Sequence, residues 1–436
     1  MNKVQFSDLL THKSTWEAYI RLRQVANLPP VELHAYQRAK LRSLLTHCVS
    51  SVPFYKHVLA GSGANLTVDD PFEILSLFPV VDKSTLRENY DGFLAEGSAK
   101  KFRTKMAQTG GTTGAPLKFL KDSECRSAIN AAVLRAFEGY GVSQNDRKLI
   151  VWGKRIAGSN LKERARLMVQ MSLDNSRYVD AFRVSQNSFE SLKRIFERFQ
   201  PRMVYGYCQA TFEIARLFMK NHYSYPLKAV VTTVEPLFPH HRQMFKYVFG
   251  CDTYDQYGSV EVSAIGFECI MHEGLHVTEE RCVVEAGKDG VIILTDLDNK
   301  VFPFVRYMNG DVIELDPKPC LCGLNSKRIK KLLGRVGDVI IGLNGNRLHP
   351  EFFTHLLNET GISYRRNLLK YQVFQLSERR LEWRIVSDNL DEDETAILLA
   401  QLQRYLGEMD FVITNVPDIS VGRSGKFQYV CSNVTS

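Results

Sequence analysis

The 436-residue chain has no uninterrupted apolar run near the ~18 residues that a membrane span requires. Its first segment, MNKVQFSDLLTHKSTWEAYIRLRQ, is amphipathic and lacks the apolar stretch of an export signal. No membrane span and a cytoplasmic location are therefore expected. Nine cysteines stand at irregular spacing, an odd number that argues against a disulfide framework and for thiols or metal ligands. No dense basic block interleaved with aromatics occurs, so nucleic-acid binding is not expected. The net charge of +8, from 56 basic and 48 acidic side chains, is modest for this length and suits the attraction of anionic ligands such as nucleotides. No internal repeat or low-complexity tract is present. The length points to two or more units.

The first hundred residues read as helical. In YQRAKLRSLLTHCVSSV, Leu41, Leu44, Leu45 and Cys48 recur at spacings of three and four on one face, until Pro53 breaks the pattern. From about residue 100, β-rich runs (KLIVWG, LKAVVTTVEPL, GVIILTD) alternate with helical ones (SFESLKRIFERF, ATFEIARLFMK). That alternation predicts an α/β layered domain. After Gly334 the texture changes to a hairpin with a turn at Asn344-Gly345, a helix entered through Pro350, two strands, a helix over roughly 391–406 and a strand FVITNV. The chain therefore divides into residues 1–334 and a small α+β unit, 335–436.

Two clusters carry chemistry. QTGGTTGAPLKF, Gln108 to Phe119, packs three glycines and three threonines into six residues. Glycine amides approach a ligand closely and threonine adds hydroxyl donors, a composition suited to phosphate oxygens; a plain surface turn is the alternative. The spacing is not that of a Walker A loop. In the second cluster, Cys320 and Cys322 of PCLCG and Cys269 of ECIMHEGLH, with His272 or His276, offer three thiolates and an imidazole for a closed tetrahedral structural zinc site. Reduced, buried cysteines are the alternative.

The Gly/Thr segment also resembles the phosphate loop of the adenylate-forming superfamily of acyl-CoA synthetases and related ligases. VTTVEPL, YDQYGSVE, PFVRYMNGDVIEL and GRVGDVIIGLNGNRLHPEFF resemble further motifs of that superfamily in the expected order, and GRSGKFQYV places Lys426 where its catalytic lysine stands. AKLRSLLTHCVSSVPFYKHVL, VYGYCQATFEIARL and FECIMHEGLHV are similar to the branch of phenylacetate–CoA ligase and the capsule-biosynthesis adenylate-forming proteins.

The resemblance implies a large multi-layered α/β N-terminal domain that binds ATP and the acyl substrate, and a small mobile α+β C-terminal domain that carries Lys426. It implies that Thr109, Gly110, Gly111, Thr112, Thr113 and Gly114 hold the β- and γ-phosphates, with Thr113 among the catalytic groups. Glu261 would bind Mg²⁺. Glu235 and Pro236 would border the adenine, Tyr257 and Gly258 would form its platform, and Asp255 would accept from its amino group. Asp311 would accept from the ribose hydroxyls, and Arg335 would contact ribose or phosphate. Arg306 reads equally as a structural ion pair. Of the two histidines, His276 is the better match for the zinc cluster.

The implied activity is that of an AMP-forming acid–thiol ligase. A small carboxylic acid, plausibly aryl or arylalkyl, is activated by ATP to an acyl-adenylate with release of pyrophosphate, then passed to a thiol, coenzyme A. Tyr205, Tyr207 and Phe267 are candidates to line the acyl pocket or simply to pack the core. Two alternatives stay open: transfer to a sugar or amine in surface-polysaccharide or secondary-metabolite assembly, and a degenerate relative that binds nucleotide without turnover. Val260 stands where the family carries Thr or Ser, and Gly337 replaces the first Asp of its hinge pair ahead of Asp338.

Overall fold

The computed structural model describes residues 3–11, 14–98, 103–109, 116–153, 168–169, 171–336, 339–366, 368–419 and 427–434. The chain opens with helices. Pro30–Ser51 buries Leu41, Leu44, Leu45 and Cys48, the face expected from their spacing. Two short strands, β1 (Thr104–Gln108) and β2 (Lys118–Asp122), then form an antiparallel hairpin.

Nine further runs join into one large sheet with two more. They are β3 (Lys148–Trp152), β4 (Ser176–Asp180), β5 (Met203–Tyr207), β6 (Ala229–Thr233), β7 (Asp252–Tyr257), β8 (Gly266–Glu268), β9 (Leu275–Val277), β10 (Cys282–Ala286) and β11 (Val291–Asp296), followed by β12 (Tyr307–Asp316) and β13 (Arg328–Arg335). The order across the 11-stranded sheet is β10-β11-β12-β13-β9-β8-β7-β6-β5-β3-β4. Strands β3 to β7 are parallel, and the rest of the sheet pairs antiparallel.

The parallel part explains its own sequence. Every residue of AVVTT in β6 is buried, because helices cover both faces and β-branched side chains pack well there. Helices Phe189–Phe199, Cys208–Lys220 and Pro239–Phe249 cover one face through Leu149, Val151, Val204 and Val230. Helix Ser123–Gly139 covers the other, near Met203, Ala229, Val231 and Tyr254. Asp122 starts that helix by accepting from the amide of Cys125 at 2.8 Å; its second oxygen accepts from the amide of Lys300 at 3.0 Å. One carboxylate thus fixes the end of the β1–β2 hairpin against the large sheet.

The second unit has its own core. After the two-stranded β14 (Ile340–Ile341) and β15 (Arg347–Leu348) come β16 (Lys370–Ser377), β17 (Arg380–Val386), β18 (Asp410–Asn415) and β19 (Val430–Ser432). These last four form a sheet in the order β18-β17-β16-β19. Trp383, Tyr371, Leu398 and Leu402 fill the space beneath helices Pro350–Glu359 and Glu392–Leu406. The latter helix opens with a capping box between Asp391 and Glu394. Arg335 is the last residue of β13, so the 334/335 division falls one residue before that strand ends, and the second core begins at Ile340. Phe238 of the large unit is part of that core, its ring centroid 5.2 Å from that of Tyr429.

Candidate active site

A cleft of about 1550 Å³ opens at the carboxyl ends of the parallel strands, where open α/β sheets characteristically bind ligands. It is lined by Thr109, Glu235, Pro236, Asp255, Tyr257, Gly258, Glu261, Asp311 and Arg335, residues far apart in sequence that converge on one space.

Each reaches the cleft for a local reason. Thr109 and Leu117 close the hairpin tip: the Thr109 amide donates to the Leu117 carbonyl at 3.0 Å, and the Thr109 hydroxyl accepts from the Leu117 amide at 2.9 Å. Gly110, Gly111, Thr112, Thr113 and Gly114 lie outside the described residues, but the stem that presents them is fixed. At Gly258 a Cβ would stand 2.8 Å from the amide nitrogen of Ala264, so only glycine lets the chain pass there without a shift. Val234, just before Glu235, has φ of 78°, a left-handed conformation that is costly for a β-branched residue and sits on the cleft wall.

The Tyr257 hydroxyl donates to Asp311 Oδ2 at 2.6 Å and accepts from Asn309 Nδ2 at 2.9 Å. Asn309 in turn accepts from the Asp311 amide at 2.9 Å, and Arg335 Nε stands 3.3 Å from Asp311 Oδ1. Burial and the neighbouring Asp311 carboxylate push the Tyr257 phenol well up, so it stays a donor. Asp311 lies inside β12, which continues through Gly310, at φ of 87°, and pairs Asp311 with Arg335.

Glu261 is buried and accepts from the Tyr307 hydroxyl at 2.9 Å. A buried carboxylate on the cleft wall is a hard oxygen donor of the type Mg²⁺ requires. Asp255 is raised to about 7, first by burial and then by Glu268, while Arg242 opposes the rise. Glu268 accepts from the Asp255 amide at 2.9 Å and pairs with Arg242 at 2.8 Å. Glu235 accepts from the amide of Gln209 at 2.8 Å and from that of Phe427 at 3.3 Å. Lys426 lies outside the described residues; its neighbour Phe427 docks on the cleft.

Several readings that the sequence left open are decided here. Phe267 does not line the cleft; it is buried with Ala18, Tyr19, Leu22 and Ala132, filling the gap beneath helix Ser123–Gly139. Tyr205 and Tyr207 do line it. Arg306 donates to the carbonyls of Ser76 (2.9 Å) and Phe78 (3.0 Å) and pairs with Glu285, a structural role. Gly337 and Asp338 lie outside the described residues. Sequence reasoning missed Asn309, Tyr307 and Glu268; the first two sit within the PFVRYMNGD segment, while only three-dimensional contact marks the third.

Cys269, His276, Cys320 and Cys322 bring their ligand atoms within 4.8 Å of one another. The Cys269 and Cys320 sulfurs are 3.7 Å apart, and Cys322 Sγ is 3.2 Å from His276 Nε2. His276 Nδ1 meets the Ser326 hydroxyl at 3.1 Å, leaving Nε2 for the cluster. His272 instead stacks on Tyr254 and pairs with Glu268. The three-sulfur, one-nitrogen donor set fits a closed zinc site.

No protein-family model matches the chain. The crystal structure of 2-hydroxyisobutyryl-CoA ligase in the postadenylation state, in complex with R3-HIB-AMP, superposes with a TM-score of 0.71 at 16% identity, covering 94% of this chain and 92% of that one. The fold is thus that of the acyl-CoA ligases of the adenylate-forming superfamily. Among sequence relatives, the chain is 24% identical over 356 residues to phenylacetate-coenzyme A ligase of Thermus thermophilus, covering 75% of each. It is 23% identical over 338 residues to Protein CapK of Staphylococcus aureus, covering 75% of this chain and 72% of CapK. In sequence, the chain is thus similar to phenylacetate-coenzyme A ligase and to CapK. Among the described residues, no helix is long and apolar enough to cross a membrane.

Proposed function

We propose that the protein is an AMP-forming acid–thiol ligase. A carboxylate oxygen of a small acid bonds to the α-phosphorus of ATP, the bond from that phosphorus to the bridging oxygen breaks, and pyrophosphate leaves. The thiol of coenzyme A then bonds to the acyl carbon, and AMP departs. The convergence of Tyr257, Asp311, Glu261, Glu235 and the docked Phe427 on one cleft carries this reading.

An anionic acid approaching a polyanionic nucleotide needs charge neutralised and atoms held in line. Asp311, held by Tyr257 and Asn309, is aligned to accept from two ribose hydroxyls. Tyr257 and Gly258 form the adenine platform, and Asp255 accepts from the adenine amino group. Thr109 and the loop after it enclose the phosphates, with Thr113 contributing a hydroxyl. Mg²⁺ on Glu261 would neutralise phosphate charge. Lys426, next to Phe427, adds a cation from the second unit, which rotates between the two half-reactions. The zinc cluster is structural, stapling the loop after β8 to the β12–β13 connection.

Purified protein should exchange labelled pyrophosphate into ATP with the right acid, and Lys426→Ala should lower that exchange at least ~100-fold while ATP binding persists. ATP binding without exchange for any acid of a broad panel would instead favour a non-catalytic relative, a reading that Val260 supports. Transfer to a sugar or amine acceptor is the second reading; AMP release that coenzyme A fails to stimulate would select it.

A further inference from the structure

The wall of the cleft that faces helix Ser123–Gly139 has a composition that narrows the acid. Tyr207, Thr233 and Gln256 lie in one row at the ends of β5, β6 and β7. Tyr205 stands one step below, its ring 5.2 Å from Phe137 and 5.7 Å from Trp152. Trp152 is in turn 5.0 Å from Tyr207. These four rings and Gln256 all line the cleft, making an aromatic slot.

Gln256 is the exception to that apolar character. It is only 8% exposed, and its side-chain oxygen has no hydrogen-bond partner among the described residues. The Tyr205 phenol lines the same slot. A buried acceptor left unpaired is costly, and such groups usually mark a missing partner. Burial pushes the Tyr205 phenol up, so it keeps its proton to give. The pair therefore offers an acceptor and a donor side by side at the slot, the complement of a hydroxyl. The next unpaired buried hydroxyl on this wall, Ser176, lies four strands away, ~19 Å, beyond the reach of the same small ring.

We propose that the acid activated in this cleft is an aryl acid bearing a hydroxyl distal to its carboxylate, which donates to Gln256 and accepts from Tyr205. The inference rests on the ligase reading for the identity of the cleft but not on turnover for its test. The unsubstituted acid would leave Gln256 unpaired, and sites built around a substrate hydroxyl reject analogues lacking it far more strongly than apolar pockets reject a missing methylene.

The test is direct binding by calorimetry, with AMP present, of phenylacetate and benzoate and of their meta- and para-hydroxy, amino, methoxy and methyl derivatives. One hydroxy acid should bind on the order of ten- to a hundredfold tighter than its parent and its methoxy analogue. Gln256→Leu should collapse that ratio, and Tyr205→Phe should lower it; ratios of two acids on one preparation do not depend on its active fraction. Equal binding of hydroxy and parent acids, or a preference that survives Gln256→Leu, overturns the proposal. Pyrophosphate exchange run on the same acids reports separately on the ligase reading: tight hydroxy-acid binding without exchange sinks that reading and leaves this one standing.

Discussion

The hydroxyl of Tyr257, at the end of β7, donates to the carboxylate of Asp311, in the middle of β12, across 2.6 Å. β7 and β12 are separated by four other strands' worth of sequence and are not neighbours in the sheet, so the bond ties the parallel half to the antiparallel half at the cleft. Tyr257→Phe removes a hydrogen bond to a charged acceptor, of the order of 1.5–3 kcal/mol. Part of that is recovered from Asn309 and Arg335. KM for ATP should rise roughly five- to twentyfold with kcat changed less than about twofold. Steady-state kinetics would reject the assignment if KM were unchanged.

Asp255 sets a pH dependence. Its folded value of about 7 lies above that of an unfolded aspartate, so the folded chain holds a proton that the unfolded chain has lost. Its contribution to stability is therefore greatest below the unfolded value and falls as pH rises through the acid range to about 7. A nucleotide amino group donating to the ionised carboxylate has the opposite preference. ATP affinity should weaken below pH 7, by up to about tenfold per unit, and Asp255→Asn should flatten the profile. Calorimetry across that range decides it.

Val260 is 41% exposed on the cleft wall. The hydroxyls beside it are engaged: Ser259 with Val262, and Ser263 with Ser259 and Lys121. Neither is spare to replace a hydroxyl missing at 260. Val260→Thr should raise the rate of pyrophosphate exchange about tenfold, from one added hydrogen bond to phosphate. A rate that stays the same would show that this position does not meet the nucleotide.

The sulfur–imidazole cluster should carry one zinc per chain, measured by elemental analysis. Cys320→Ser should lose the metal and lower Tm by on the order of 10 °C, given roughly 2–4 °C for each kcal/mol in a domain of ordinary size. KM for ATP in the surviving folded protein should not move. Metal loss without a change in Tm would contradict a structural role.

The sequence made the helical and strand runs readable because period and β-branching are local properties. The face of Leu41, Leu44, Leu45 and Cys48, the buried AVVTT strand and the turn before Pro350 all follow from such patterns. It also separated His276 from His272 through the resemblance of its flanking residues. What it could not supply was contact between distant residues. Phe267 looks the same in sequence whether it lines a pocket or fills a core, and only the packing of Ala18 and Tyr19 on it decides. Asn309 carries no signal of its own; its importance comes from standing between Tyr257 and Asp311. The three-residue β19 is too short for any periodicity and exists because β16 offers it a parallel edge.

That last pairing limits how Lys426 is delivered. The stretch containing it is anchored before, at Asn415 against β17, and after, at Val430 against β16, two strands of one sheet. Both flanking strands thus belong to one sheet. Moving that sheet away from the large one breaks the grip of Glu235 on the Phe427 amide. The cleft thus senses the position of the second unit through Glu235, beside the packing of Phe238 on Tyr429, and a chain that loses β19 should lose that leverage along with the strand.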